Sequence, residues 1–465
     1  MERRQEFGPS PTDEALATVQ TWALWLTEVE RRIMPHFPRS DARRRVWAYL
    51  RGLWSSVERK NGWQIAEVVG DATPYGMQHV LGRAQWDAEE VRKALRTSVV
   101  ESLGDPHAVL VIDETGLLKK GQHSAGVARQ YSGTAGRVEN CQIGVFLTYA
   151  RAQSHVLLDR ELYLPQGWTN DPERCARAGI PPERTCATKP DLARQMLERA
   201  LDADVPAAWV AGDSVYGDHR PLRAWLEDRA QAYVLTVSGK EYVWRAGRQW
   251  QVKTLLAMLQ EEDWCRLRAG DGTKGPRWYD WRWLPLAAPC QPHWRRGLLV
   301  RRSLSDPTER TAYIVCAPET TALATVVQVV GRRWTIEQCF EEAKGEVGRD
   351  QYEVRSWTGW YRHITLAMWA YALLTVLRAV HLPVAPPLKK MPEGWAAEPS
   401  AHLSGLAQAE VPFSVREIRH LFWSLVLATK QRAERVLTWS AWRRWHQGIA
   451  QYWHYRRRAF VQLQL

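Results

Sequence analysis

HAVLVIDETG, residues 107–116, is an apolar run that stops at two adjacent acids. Ala108 to Ile112 are uninterrupted hydrophobic residues, the pattern of a strand covered on both faces, so Asp113 and Glu114 are expected at its end. NCQIGVFLTYA (140–150) and SHVLLDRELYL (154–164) read as its successors in a meander. KPDLARQMLERALDAD (189–204) has helical spacing, and PAAWVAGDSVYG (206–217) repeats the first theme, an apolar strand with Asp213 at its end. A further helix and the strand QAYVLTV (231–237) follow. Three strands, then helix, strand, helix, strand predict a mixed α/β sheet.

A third acid comes from RRWTIEQCFEEAKGEVG (332–348). Read as one helix, it brings Arg333, Glu337 and Lys344 within about 40° of one another at 100° per residue. Ile336, Cys339, Phe340, Ala343 and Val347 form an apolar stripe beside them. Charges along the edge of a buried stripe predict a site or a half-buried ion pair. Two aspartates at strand ends and a glutamate on a helix can converge on divalent metal, since hard Mg²⁺ takes carboxylate oxygens and leaves positions for water and phosphate. Arg333 and Lys344 would then offset the crowded negative charge and hold DNA phosphates. The plainer alternatives are that each Asp caps a turn or helix, and that Arg333 and Glu337 are an ordinary i, i+4 pair.

Residues 15–104 read as helical. Within them WQIAEVVGDATPYGMQHVLGRA (63–84) suggests two short helices and a tight turn, with Thr73 as N-cap and Pro74 at the first helical position. This is a candidate helix-turn-helix whose second helix carries Gln78, His79 and Arg83, or else a packed helical hairpin. Specific recognition of DNA ends is assigned to these helices, including Gln78 and Arg83. A strand-rich stretch at 240–318 contains AGDGTKGPRWYDWRW (269–283), a hairpin signal. Alternation there places Trp281 and Trp283 together and Arg282 opposite. Trp278, Trp281 and Trp283 are core residues, or one of them stacks on a displaced base. A Pro-rich linker (382–399) precedes a basic, aromatic tail containing Arg443, Arg444, Arg456, Arg457 and Arg458.

The chain has 465 residues, 45% hydrophobic, enough for a large core in about three domains. Its net charge of +12 and pI of about 9.4 favour an anionic partner, for which nucleic acid is the commonest candidate. Lys119, Lys120, Arg129, Arg137 and the tail arginines are candidate phosphate contacts. The N-terminus shows no secretory signal pattern, and the apolar run LAMWAYALLTVL (366–377) is too short to span a bilayer, so a soluble cytoplasmic protein with no membrane partner is expected. The seven scattered cysteines show no zinc-binding spacing and read as reduced thiols.

The Arg333, Glu337, Lys344 spacing resembles the signature of IS4-like DDE transposases, although that group has Tyr three positions before the Arg and this chain has Val330. VIDETGLLKKG (111–121), GVARQYSGTAGRVENCQIGVF (126–146), WVAGDSVYG (209–217) and DQYEVRSWTGWYRHITLAMWA (350–370) are similar to the IS701 family in particular. NGWQIAEVVGDATP and WRRWHQ extend the likeness towards both ends. The resemblance implies an α/β, RNase H-like core with Asp113, Asp213 and Glu337 as a Mg²⁺-binding triad that also accepts Mn²⁺. Arg333 and Lys344 would be supporting cations, and a β-rich insertion would separate the second Asp from the Glu. The implied organisation is an N-terminal helical domain (1–104), the core in two parts (105–239 and 319–381), the insertion (240–318), and a linker with a basic C-terminal region (382–465). The implied activity is cleavage of transposon ends and transfer of the 3′-hydroxyl into target DNA, by a homodimer in the synaptic complex. A nuclease of the same fold without strand transfer, a decayed end-binding regulator and a protein-interaction module are the rival readings.

Overall fold

The computed structural model describes residues 11–133, 135–260, 264–272, 275–287, 289, 291–380 and 413–428. The Pro-rich linker and the five tail arginines lie outside the described residues. The chain divides into two compact units, one formed by 1–86, 346–353 and 384–465, the other by 87–345 and 354–383.

The first unit is helical. Ser40–Trp54, Gly62–Val69 and Tyr75–Gly82 pack on one another, after a longer helix Pro11–Ile33. Their buried side chains, among them Val46, Leu50, Leu53, Ile65, Met77 and Val80, recur at helical spacing and leave the other faces polar. Asn61 caps Gly62–Val69 by accepting from the Trp63 and Gln64 amides, and Gly70 closes it in the left-handed region at φ 92°. The next helix starts at Tyr75, with Pro74 in the cap position and no side-chain cap. The expected Thr73 cap is therefore corrected: a proline ring at φ −75° and ψ −7° already presets the first turn.

The second unit is built on one mixed sheet. Its strands are β1 (Val109–Leu118), β2 (Ala128–Ser132), β3 (Arg137–Ala150), β4 (His155–Leu162), β5 (Trp209–Gly212), β6 (Ala232–Val237), β9 (Cys265–Gly272), β10 (Gly275–Pro285), β11 (Trp294–Arg302) and β12 (Arg310–Pro318); β7 (Tyr242–Arg245) and β8 (Arg248–Gln251) form a separate hairpin. The order is β2-β3-β1-β5-β6-β12-β11-β10-β9, and β4 also pairs with β3. β1, β5 and β6 are parallel neighbours, while β3 and β4 run antiparallel as a meander. This is a mixed α/β architecture consistent with a DDE, RNase H-like domain.

β2 and β3 form a hairpin that the short, polar ARQYS does not signal. β12 pairs antiparallel with β6, so β9 to β12 extend the central sheet. The helix expected over 332–348 starts at Thr335 and runs to Val347; Arg332 ends a preceding helix, Leu323–Arg332, and Arg333 and Trp334 form the turn between them. Gly331 permits that junction to lie against β9, since a Cβ there would stand 1.5 Å from the Ala269 carbonyl oxygen. Helix Ala88–Leu103, sequentially among the N-terminal helices, belongs to the second unit, where it packs with β4 and helix Trp357–Val380. An ionic cluster joins these elements: fully buried Arg160 reaches Glu89 at 2.8 Å, and Arg92 and Arg199 reach Asp159 at 3.2 and 2.9 Å.

Candidate active site

Ile112 pairs with Gly212 where β1 and β5 run parallel, so Asp113 and Asp213 follow at the same level on neighbouring strands. β1 itself continues to Leu118, which corrects the expectation that it ends at the acids; the parallel pairing, rather than the strand, stops there. Asp213 leaves β5 as the N-cap of a short helix and accepts from the Val215 amide at 2.9 Å. The capping role and the functional placement coexist.

The environment separates the two adjacent acids of β1. Glu114 is held by Lys189 at 2.6 Å and by the buried Tyr216 hydroxyl, which donates at 2.6 Å. Asp113 accepts from the Glu114 amide at 2.8 Å, and the Arg333 guanidinium lies 3.9 Å from it. Burial first, then the Asp213 and Glu114 charges, push the Asp113 carboxyl up to about 8. The Asp213 carboxyl is also raised, by burial and then by Glu114.

Arg333 ties the third acid to the first. Its guanidinium lies 3.5 Å from Glu337 and 3.9 Å from Asp113, with Trp334 beside it at 4.8 Å. Glu337 is 48% exposed on the first turn of its helix. Among the described residues, no three His, Cys, Asp or Glu side chains are grouped closely enough to hold a metal ion. The structure thus brings Asp113 and Asp213 together and connects Glu337 to them through Arg333. Lys344 lies seven residues further on the same helix, about 10 Å along its axis.

Glu342 anchors that helix. It accepts from Tyr371 at 2.6 Å and meets His155 at 3.2 Å and Arg378 at 3.4 Å, which outweigh burial and lower its pKa. Glu114, Lys189, Tyr216 and Glu342 were absent from the sequence-derived site. Tyr216 lies in the quoted WVAGDSVYG, but only the fold places it against Glu114.

Lys120 and Arg129 are exposed near the end of β1 and on β2, Lys119 is half-buried, and Arg137 is exposed and paired with Glu139 at 2.8 Å. Trp281 is fully buried and donates to the Leu267 carbonyl at 3.2 Å, so it is core. Trp283 is half-buried and stacks on Arg295 at 4.8 Å, whereas Trp278 is 49% exposed. Gln78 and Arg83 are exposed in the first unit.

No helix among the described residues is long and apolar enough to cross a membrane. Residues 32–254 match the DDE superfamily endonuclease family, and residues 187–373 match the transposase DDE domain. Over 193 residues the chain is 28% identical to "Probable transposase for insertion sequence element IS701" of Microchaete diplosiphon, covering 41% of this chain and 48% of that protein. The chain therefore spans about half the length of that relative. Both family matches include Asp213, with Asp113 in the first and Glu337 in the second.

Proposed function

We propose that this chain is an insertion-sequence transposase that cuts DNA at its element's ends and joins the freed 3′-hydroxyl to target DNA. The observation that carries this reading is the placement of Asp113 and Asp213 side by side where two parallel strands part. Their oxygens suit a hard divalent cation, and burial, then the Asp213 and Glu114 charges, raise the Asp113 pKa beyond what Arg333 offsets. Asp113, Asp213 and Glu337 would hold Mg²⁺, with Mn²⁺ as substitute. When bound, such an ion polarises the phosphate and makes an attacking water or 3′-hydroxyl easier to deprotonate.

The chain's own residues do the positioning. Tyr216 and Lys189 hold Glu114, which leaves Asp113 as the acid that faces Asp213 and Arg333. Arg333 presents a planar fork to the phosphate being cut, and Lys344 holds a neighbouring phosphate. Lys119, Lys120, Arg129, Arg137 and the tail arginines 443, 444 and 456–458 track the DNA backbone. In this reading β1 and β3 to β6 form the RNase H-like core, β9 to β12 are the insertion, double-stranded DNA is the partner, and a cytoplasmic homodimer assembles the two ends.

The test is cleavage of DNA carrying the element's own ends, with and without Mg²⁺. Asp113→Asn, Asp213→Asn and Glu337→Gln should each lower cleavage at least a thousandfold and leave end binding nearly intact; full activity in any of them removes that residue from the triad. A nuclease without strand transfer would share these results. Supplying pre-cut ends with a free 3′-hydroxyl and looking for joined product separates the two.

A further inference from the structure

Tyr131 and Val138 are hydrophobic side chains exposed at 63% and 52%, and they are cross-strand partners in the β2–β3 hairpin. The next pair on the same face is Arg129 and Asn140. Partners across two paired strands share a face, as does every second residue along a strand. From Val138 that alternation runs along β3 through Asn140, Gln142 and Gly144 to Phe146, whose partner on β1 is Asp113. The exposed pair therefore belongs to the face of the sheet that carries Asp113. The Glu337 helix lies on that face too, since its Phe340 meets Phe146 with ring centroids 5.5 Å apart. The opposite face of the hairpin is packed: Ser132 is fully buried, and a Cβ on Gly116 of β1 would stand 2.2 Å from its hydroxyl oxygen. Glu139, the one carboxylate of the hairpin, also lies on that opposite face and pairs with Arg137 at 2.8 Å. Asn140 fixes the base of the hairpin to the end of β1 by donating to the Lys119 and Gly121 carbonyls at 2.7 and 2.9 Å.

Single exposed apolar residues are ordinary on a protein surface. Here two are paired on an anchored ribbon, beside an exposed arginine and with no acid on their face. Charge complementarity selects the occupant. A second copy of this chain would set one basic face, with Arg129 and the nearby exposed Lys120, against another in a chain of net charge +12, whereas DNA brings phosphates to both. The major groove of B-DNA admits a two-stranded β-ribbon, and the thymine methyl group is the feature there that an apolar side chain can read.

We infer that the β2–β3 hairpin enters the major groove of DNA lying across the Asp113 face, with Tyr131 and Val138 against thymine methyl groups and Arg129 at a phosphate. This rests on the reading that the chain acts on DNA, but not on its cutting DNA. The full chain, in EDTA so that no cleavage occurs, is titrated with two short duplexes. One alternates adenine and thymine; the other carries deoxyuridine in place of thymidine and so lacks only the methyl groups. The parent should bind the thymine duplex more tightly, by about fourfold for each methyl buried. Tyr131→Ala and Val138→Thr should each lose part of that preference and the double variant all of it, with the salt dependence of binding and the melting temperature unchanged. Tyr131→Phe should keep the preference. Equal binding of both duplexes by the parent, or a double variant that keeps the parent's preference, overturns the inference and leaves DNA binding standing; a parent that binds neither duplex overturns the DNA reading with it. If Tyr131→Ala instead breaks up a DNA-free oligomer in sedimentation and leaves the thymine preference intact, the face belongs to a second copy and the inference fails. Cleavage by the same preparations with Mg²⁺ is scored separately, so a chain that grips thymine without cutting DNA refutes only the proposed activity.

Discussion

Glu114 ends in two short hydrogen bonds, from Lys189 and Tyr216, whereas Asp113 one residue earlier faces Asp213, offset by the Glu114 amide and by Arg333 3.9 Å away. The sequence shows two equivalent acids, and their difference depends on partners 75 and 102 residues away. The consequence is measurable. The folded protein keeps the Asp113 proton up to about pH 8, while an unfolded aspartate releases it near about pH 4. Between those values the native state binds the extra proton, so the stability of the metal-free protein should fall as pH rises through that window. Thermal melts in EDTA from pH 5 to pH 8 should show that loss, on the order of a few kcal/mol, and Asp113→Asn should flatten it. Added Mg²⁺ should stabilise the parent chain most at pH 8, by mass action on the ionised form. A parent and an Asp113→Asn variant with identical pH profiles would show that this carboxyl is not the strained group.

Elements show what periodicity can and cannot reveal. Strand β10 illustrates both. Alternation puts Tyr279, Trp281 and Trp283 on one face, yet burial peaks at Trp281, which lies against Tyr279 and Tyr313, while Trp283 meets Arg295 and is half-buried. Trp281→Ala should cost about 3 to 5 kcal/mol. Trp278→Ala should leave melting unchanged, and a defect confined to second-strand processing would mark that ring as the base-stacking one. The helix bearing Glu337 makes a different point. Its apolar stripe was legible, since Ile336, Cys339, Phe340, Ala343 and Val347 are all buried. Its break from the preceding helix was not, because it lies beside the contact of Gly331 with β9, which leaves no local pattern. Its orientation was equally hidden, since Glu342 is fixed by His155, Tyr371 and Arg378 from two other elements. Glu342→Ala would strand those partners at about 1 to 3 kcal/mol, and it should reduce cleavage more than DNA binding. Equal losses in both would mean that Glu342 supports the whole unit instead.

At the scale of the molecule, the parallel core of the sheet was legible because its strands are continuous hydrophobic runs. The union of β12 with β6 was not, since a pairing between strands more than 70 residues apart leaves no local pattern. Charge is a different kind of whole-chain property, for a surplus of +12 is visible in composition and acts wherever the fold exposes it. If phosphate contacts dominate, the logarithm of DNA affinity should fall linearly with the logarithm of salt, with a slope of about −0.9 per phosphate neutralised. The exposed cations predict which residues set that slope. Replacing Lys120 or Arg129 by Ala should reduce it by about 1 each and weaken binding to specific and random DNA alike. Arg137 already pairs with Glu139, so Arg137→Ala should change the slope less than either. Titrations of the full chain on random duplex DNA at several salt concentrations measure all three. A slope unmoved by Lys120→Ala and Arg129→Ala would take the β1–β2 region off the DNA path and leave phosphate contact to other basic surfaces of the chain.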